Sequence, residues 1–362
     1  MYIPLQKNGA QIIQQQINDT IAAGRHQLTV SGDFEIEKTI SLPSDFTLVL
    51  DDCYLRMADN TFCNMFNNEH FGTAEGKTLA GTDRNICIEG RGRAILDGGT
   101  YNGLSERNSL KDGRPHISVN NLLLFTNVDG FRISGLHVRN QRWWALNFIY
   151  CRNGLLSNLD FLSDYTRIDG QGNRVEGLRN NDYASAYIKN SDGIDLRCGC
   201  HDIIIENITG FTEDDTVALT GLPGTMELSH AVEGLSSDIY NVIIRNINSA
   251  AYCSIVRLLN QSGIKLYNIL IDGVFDSSAN SKYLDRGSNG VRVGDLHMYG
   301  TRHSTAEETY NITIRNVASR AAIAAVNLAG AITNLTLDNI RTFDHAGETI
   351  RNQAELHGDC RF

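Results

Sequence analysis

The chain has 362 residues, 41% of them apolar, and a formal net charge of −10 at neutral pH. That length can bury a large core, and the negative charge argues against nucleic acid, which requires a basic stripe. No run approaches the roughly 18 uninterrupted apolar residues of a membrane span, and Met1 to Asn8 lack a basic start followed by an apolar stretch. The expected placement is therefore cytoplasmic, unless a leader has been removed, with no membrane partner. From about residue 10 to 24, Ile12, Ile13, Ile17, Ile21 and Ala22 follow helical spacing that ends at Gly24, predicting an amphipathic cap.

Beyond that cap one short unit recurs, apolar-x-apolar-x-[Asn/Gly]. It reads Ile86-Cys87-Ile88-Glu89-Gly90 and Phe131-Arg132-Ile133-Ser134-Gly135, and a degenerate copy ends at Asn158. It returns at Ile203 to Asn207, Val242 to Asn246, Ile269 to Gly273, Ile312 to Asn316 and Leu335 to Asn339. Steps between the Asn/Gly positions are 45, 23, 49, 39, 27, 43 and 23 residues, which read as one or two turns of a stacked repeat. Alternation inside each unit, with many β-branched residues, is a strand signal. Two or three short strands per turn give a right-handed parallel β-helix. Leucine-rich repeats share the period, but their consensus leucines are missing, and hairpin turn signals for a sandwich are rare. The recurring Asn is expected to tighten a bend and stack in an amide ladder.

From residue 344 to 362 the pattern is lost, predicting an irregular tail or far cap. No linker interrupts the chain, so 1–362 is expected to be a single domain. Eight scattered Cys without paired Cys-x-x-Cys or His spacing point to buried thiols and away from zinc; no metal and no cofactor is expected.

The segments Asn190-Ser191-Asp192-Gly193-Ile194-Asp195-Leu196 and Glu213-Asp214-Asp215-Thr216-Val217-Ala218-Leu219 overlay with Ile194 and Leu196 under Val217 and Leu219. Asp192 and Asp215 then share a column 23 residues apart, about 4.8 Å along a stack. Asp214 lies beside them. Clustered acids of this kind are what glycosidic hydrolysis requires. Asp195 is read as a structural acid.

These residues resemble the polygalacturonase-type family-28 glycoside hydrolases. The likeness runs through Ser41 to Leu50, Ile95-Leu96-Asp97-Gly98-Gly99, Arg114-Pro115, Arg142-Trp143-Trp144-Ala145-Leu146, Asn190-Ser191-Asp192 and Asp214-Asp215. It implies an inverting hydrolase acting on an oligo- or polysaccharide. Asp214 would be the general acid, and Asp192 and Asp215 would hold and deprotonate water. The resemblance also offers Asn190, Glu213, His230 and Arg257 as substrate contacts. Ser229-His230-Ala231 stands for the family's Gly-His-Gly, and Arg257-Leu258-Leu259 for its Arg-Ile-Lys. Leu259 in place of a lysine and the extra Glu213 point to a neutral or weakly charged sugar. Trp144 or Trp143 is a candidate stacking platform, and 163–185 a candidate groove wall. The rivals are a uronate lyase or epimerase, set aside for want of a base beside the acids, and a non-catalytic carbohydrate-binding or spike-type β-helix.

Overall fold

The structure, a computed structural model, describes residues 4–59, 61–99, 119–141, 144–163, 192–260, 263–281, 284–296 and 302–362. Their 21 strands form one sheet, wound as a right-handed parallel β-helix. The repeat unit sets its register. Phe46, Ile86, Phe131, Gly154, Ile203, Val242, Ile269, Ile312 and Leu335 pair one above the next in a single column.

Every step between those units is therefore one coil. The long steps, expected as one or two turns, are single turns that carry inserted loops. The 39-residue step from Asn207 to Asn246, for example, holds the short helix α2, Thr225–Ser229, here named after the N-terminal α1, Gly9–Ala22. A loop can leave the stack at a bend without disturbing the ladder on either side, so coil length varies while register does not.

On the face that matters below, the strands are Leu146–Ile149, Ile194–Leu196, Val217–Gly221, Ser254–Asn260 and Asn289–Val293, followed by the start of Ala324–Thr342. Leu146, Ile194, Val217, Val256, Val291 and Val326 stack inward and are fully buried. Each contributes roughly 1.5–3 kcal/mol of burial. The next residue of each strand points the other way, giving an outward column of Asn147, Asp195, Ala218, Arg257, Arg292 and Asn327. This alternation delivers charged side chains to one face of a greasy rod.

The bends are held by the expected amide ladder. Asn207, Asn246, Asn316 and Asn339 have φ of 57°, 55°, 57° and 53°, a left-handed conformation that costs most residues energy. Their amides hydrogen-bond from coil to coil, Asn246 to Asn207 at 3.2 Å and Asn339 to Asn316 at 2.7 Å. A second, unexpected ladder runs from Asn241 to Asp202 (2.9 Å), Asn268 to Asn241 (3.1 Å), Asn311 to Asn268 (3.1 Å) and Asn334 to Asn311 (3.0 Å).

Helix α1 covers the first coil, burying Ala10, Ile13 and Ile17, while Ile21 stays 42% exposed. The far end departs from expectation. In place of an irregular tail, Glu348–His357 is a strand that pairs parallel with Ala324–Thr333. Among the described strands it pairs on one side only, so the positions matched to buried Ala324, Val326, Leu328 and Ile332 take Glu348 and Asn352 as well as Ile350 and Leu356, and the apolar alternation fades although the backbone ladder continues. All eight cysteines are free; Cys53, Cys151, Cys198 and Cys200 are buried, and the other four only half so.

Asn246→Ala is expected to lower stability by about 2 kcal/mol, through left-handed strain and a lost rung. Asn246→Gly, free of the strain, should lose about half as much. Urea titration of the two variants separates these; equal losses would show that the ladder does not act through backbone conformation.

Candidate active site

The acid cluster forms where two coils meet at the start of the site face. Gly193 N–H donates to Asp215 O (3.0 Å) and Ile194 N–H to Thr216 O (3.0 Å). That register sets Asp192 beside Asp215, as the overlay predicts, with Asp214 next to it. Gly193 is required by this approach, since a Cβ there would lie 2.5 Å from Thr216 O.

Asp192 is 5% exposed, Asp195 is sealed, and Asp214 and Asp215 are half-buried. Burial pushes Asp192 well above the ordinary carboxylate range, the charges of Asp195, Asp214 and Asp215 add to it, and Arg197 opposes them. Asp195 is also raised by burial, opposed chiefly by Arg197. For Asp215 burial again raises the pKa, while Arg257 and Ser254 counter it. The thiol of Cys253, one coil above Asp214, hydrogen-bonds to Asp214; burial first, then Asp214 and Asp215, raise its pKa.

The sequence-predicted contacts divide. Arg257 does join the cluster, beside Asp215 and 4% exposed. Glu213 adjoins the acids in sequence but is only 1% exposed. His230 does not occupy the coil position expected of it. It ends α2 and its ring packs on Phe71, centroids 4.9 Å apart. Ser254 stands one coil above Asp215 instead, because the 39-residue coil loops out α2 before returning to the stack. Trp144 lies one coil below Asp192, but Arg197 occupies its face at 3.7 Å, where a sugar was expected. Asn190, Trp143, Arg142 and Arg114, and the expected wall at 164–185, lie outside the described residues.

Four charged residues escaped the sequence reading. Arg197 bridges Asp195 (3.2 Å) and Glu227 of α2. Burial alone would lower its pKa, but Glu227 and Asp195 outweigh that and raise it, so the guanidinium stays charged. Arg292 sits directly above Arg257 and pairs with Asp295 at 2.5 Å, and Asp295 lies 3.9 Å from Arg257. In sequence, Arg292-Val293-Gly294 offers the same Arg-apolar-x signal as Arg257-Leu258-Leu259, one coil further on. The neutral-sugar expectation rested on a missing lysine at Leu259 and on the extra Glu213; Arg292 supplies another cation in the column of Arg257.

A different acid grouping, Glu69, His70 and Asp83, brings metal-ligating atoms together elsewhere. Asp83 there already accepts from Asn68 Nδ2 (2.7 Å), the His70 amide (3.0 Å) and Ser44 Oγ (3.1 Å), and contacts His70 Nδ1 (2.7 Å), so it is built as a loop anchor.

Solved structures with this architecture include the polygalacturonase of Erwinia carotovora ssp. carotovora. It is 16% identical with a TM-score of 0.56, covering 96% of this chain and 93% of that one. The exopolygalacturonase of Thermotoga maritima is 14% identical with a TM-score of 0.53, over 98% and 93%. A mannuronan C-5 epimerase module of Azotobacter vinelandii is 13% identical with a TM-score of 0.54, over 97% and 91%. The chain has the polygalacturonase fold. At these identities the likeness is one of fold alone, and it extends to an epimerase. No protein-family model and no curated protein matches the sequence. Among the described residues no helix is long and apolar enough to cross a membrane.

An acid whose folded pKa lies above its unfolded value contributes stability below the unfolded pKa and loses it as pH rises through the folded one. Asp192 is such a group, so Asp192→Asn should stabilise the protein at and above neutral pH by at least about 1 kcal/mol. Below about pH 3 it should change little, because the wild-type carboxyl is then protonated too. Urea unfolding at both pH values checks this; a variant less stable at high pH would contradict the burial argument.

Proposed function

We propose that the protein is a glycoside hydrolase that cleaves an O-glycosidic bond with inversion. The observation that carries this is the coil register that stacks Asp192 on Asp215 with Asp214 alongside. Chemistry of this type needs one carboxyl that stays protonated and another that stays ionised. Asp214, half exposed at the rim, is the candidate to protonate the departing oxygen. Asp215, whose pKa burial raises while Arg257 and Ser254 pull it back, is the candidate to take a proton from water. The sequence expectation that Asp192 shares the base role fits poorly with its pKa, which burial and three neighbouring acids hold well above the carboxylate range.

Arg257 and Arg292 in one column favour a sugar that carries a carboxylate near the scissile bond. The same pair would suit a uronate lyase or epimerase. Those reactions also need a base to remove the proton next to the carboxylate, and Arg197, the closest cation to Asp195, is held charged. Hydrolysis uses the groups as they stand.

Polygalacturonate and a panel of neutral oligosaccharides test this, with reducing ends counted and product stereochemistry read by NMR. Asp214→Asn and Asp215→Asn are each expected to lower kcat by about 10²- to 10⁴-fold. An unsaturated, ultraviolet-absorbing product would move the assignment to a lyase. Unchanged kcat in both variants would end the acid-base proposal.

A further inference from the structure

A chain of charged groups runs from α2 into the acid cluster. Glu227 Oε1 accepts from Arg197 Nε, Arg197 Nη1 donates to Asp195 Oδ1 at 3.2 Å, and Asp195 lies against Asp192, three residues before it on the same coil, so that the two carboxyls titrate together. The side chains of Arg197, Asp195 and Glu227 are 9%, 1% and 3% exposed. Trp144 packs on the guanidinium from below, and the Gly224 amide donates to the other Glu227 oxygen at 2.9 Å. The network is thus buried and held from both ends.

Two carboxyls buried against each other cannot both ionise easily, so between them they hold one proton near neutral pH. Which of the two carries it depends on what each faces. Asp195 faces a guanidinium. Asp192 faces Asp214 and Asp215, with Cys253 bound to Asp214, and among the described residues Arg257 acts on Asp215. Charge belongs on the first, and the proton on the second.

We propose that Arg197 and Glu227 are positioning residues: Arg197 holds Asp195 as the carboxylate and so keeps the shared proton on Asp192, while Glu227 competes for the same guanidinium and sets how strongly Arg197 acts. This rests on the hydrolytic role given to the cluster above. It assigns a function to Asp195, and to a helix that the repeat pattern does not contain. The active form needs one proton on the pair and an ionised Asp215, so the acid limb of the pH profile reports loss of the pair's second proton together with that of Asp215.

The test is the pH dependence of kcat/KM in three variants. Removing the cation in Arg197→Gln should move the acid limb up by about one unit, an activity loss of about tenfold on the acid side. Glu227→Gln frees the guanidinium for Asp195 and should move the limb down. Arg197→Lys keeps the charge and should hold the wild-type limb. A merely structural role would not produce shifts of opposite sign. Should Arg197→Gln fail to fold because it strands Glu227, the double variant Arg197→Gln/Glu227→Gln removes that burden and should still show the upward shift.

The same shifts can be read without substrate, as the titration of a protonated-carboxyl band in infrared difference spectra that Asp192→Asn abolishes. A band that moves as stated in a protein that cleaves no glycoside would keep this proposal and remove the hydrolase. Limbs or bands that do not respond to either charge removal would overturn it.

Discussion

Parallel, in-register stacking is the constraint from which the rest follows. In a coil of this kind each residue's closest neighbours are its counterparts one turn above and below, about 4.8 Å away. Likes meet likes. For Ile194, Val217, Val256, Val291 and Val326 that means a continuous apolar column. For the bend asparagines it means amides that donate to one another and offset their left-handed backbone. Apart from loops, the molecule has little freedom to place a side chain anywhere else.

That constraint turns unfavourable when the repeated residue is an acid. Asp192 over Asp215, with Asp195 and Asp214 adjoining, concentrates negative charge where little water reaches. Burying a charge is costly unless it is paired. The structure answers in two ways. Arg197 comes in from the coil of Asp192 and Arg257 and Arg292 from the two coils above Asp215, and burial raises the pKa values of Asp192, Asp195 and Asp215. Both responses bear on chemistry, because they leave protonated and ionised carboxyls within one small volume.

Much of this was visible residue by residue. The apolar pairs at Ile203/Ile205 and Val242/Ile244 announce strands, and the Asn that follows each announces a bend; the column of Asp192 and Asp215 follows by counting. Counting failed where the chain leaves the stack. The steps of 45, 49, 39 and 43 residues invite a second turn, and only the pairing of Ile203 with Val242 shows a single coil with α2 looped out. The same excursion moved His230 away from the place its short spacing suggested. Arg292 was legible as a second Arg after an apolar strand residue, but it was passed over for Arg257. Glu348–His357 escaped because a last coil needs less apolar content to pair.

Local pattern determined the fold, the cap, the amide ladder and the stacking of the paired aspartates, since each depends on spacings of a few residues or on one constant period. Tertiary structure alone decided which charges surround the acids. Arg197 meets Glu227 across 30 residues, and Arg257 meets Arg292 across an intervening coil of irregular length. Electrostatic partners are fixed by distance in space, and inserted loops of unpredictable length disconnect that distance from position along the chain.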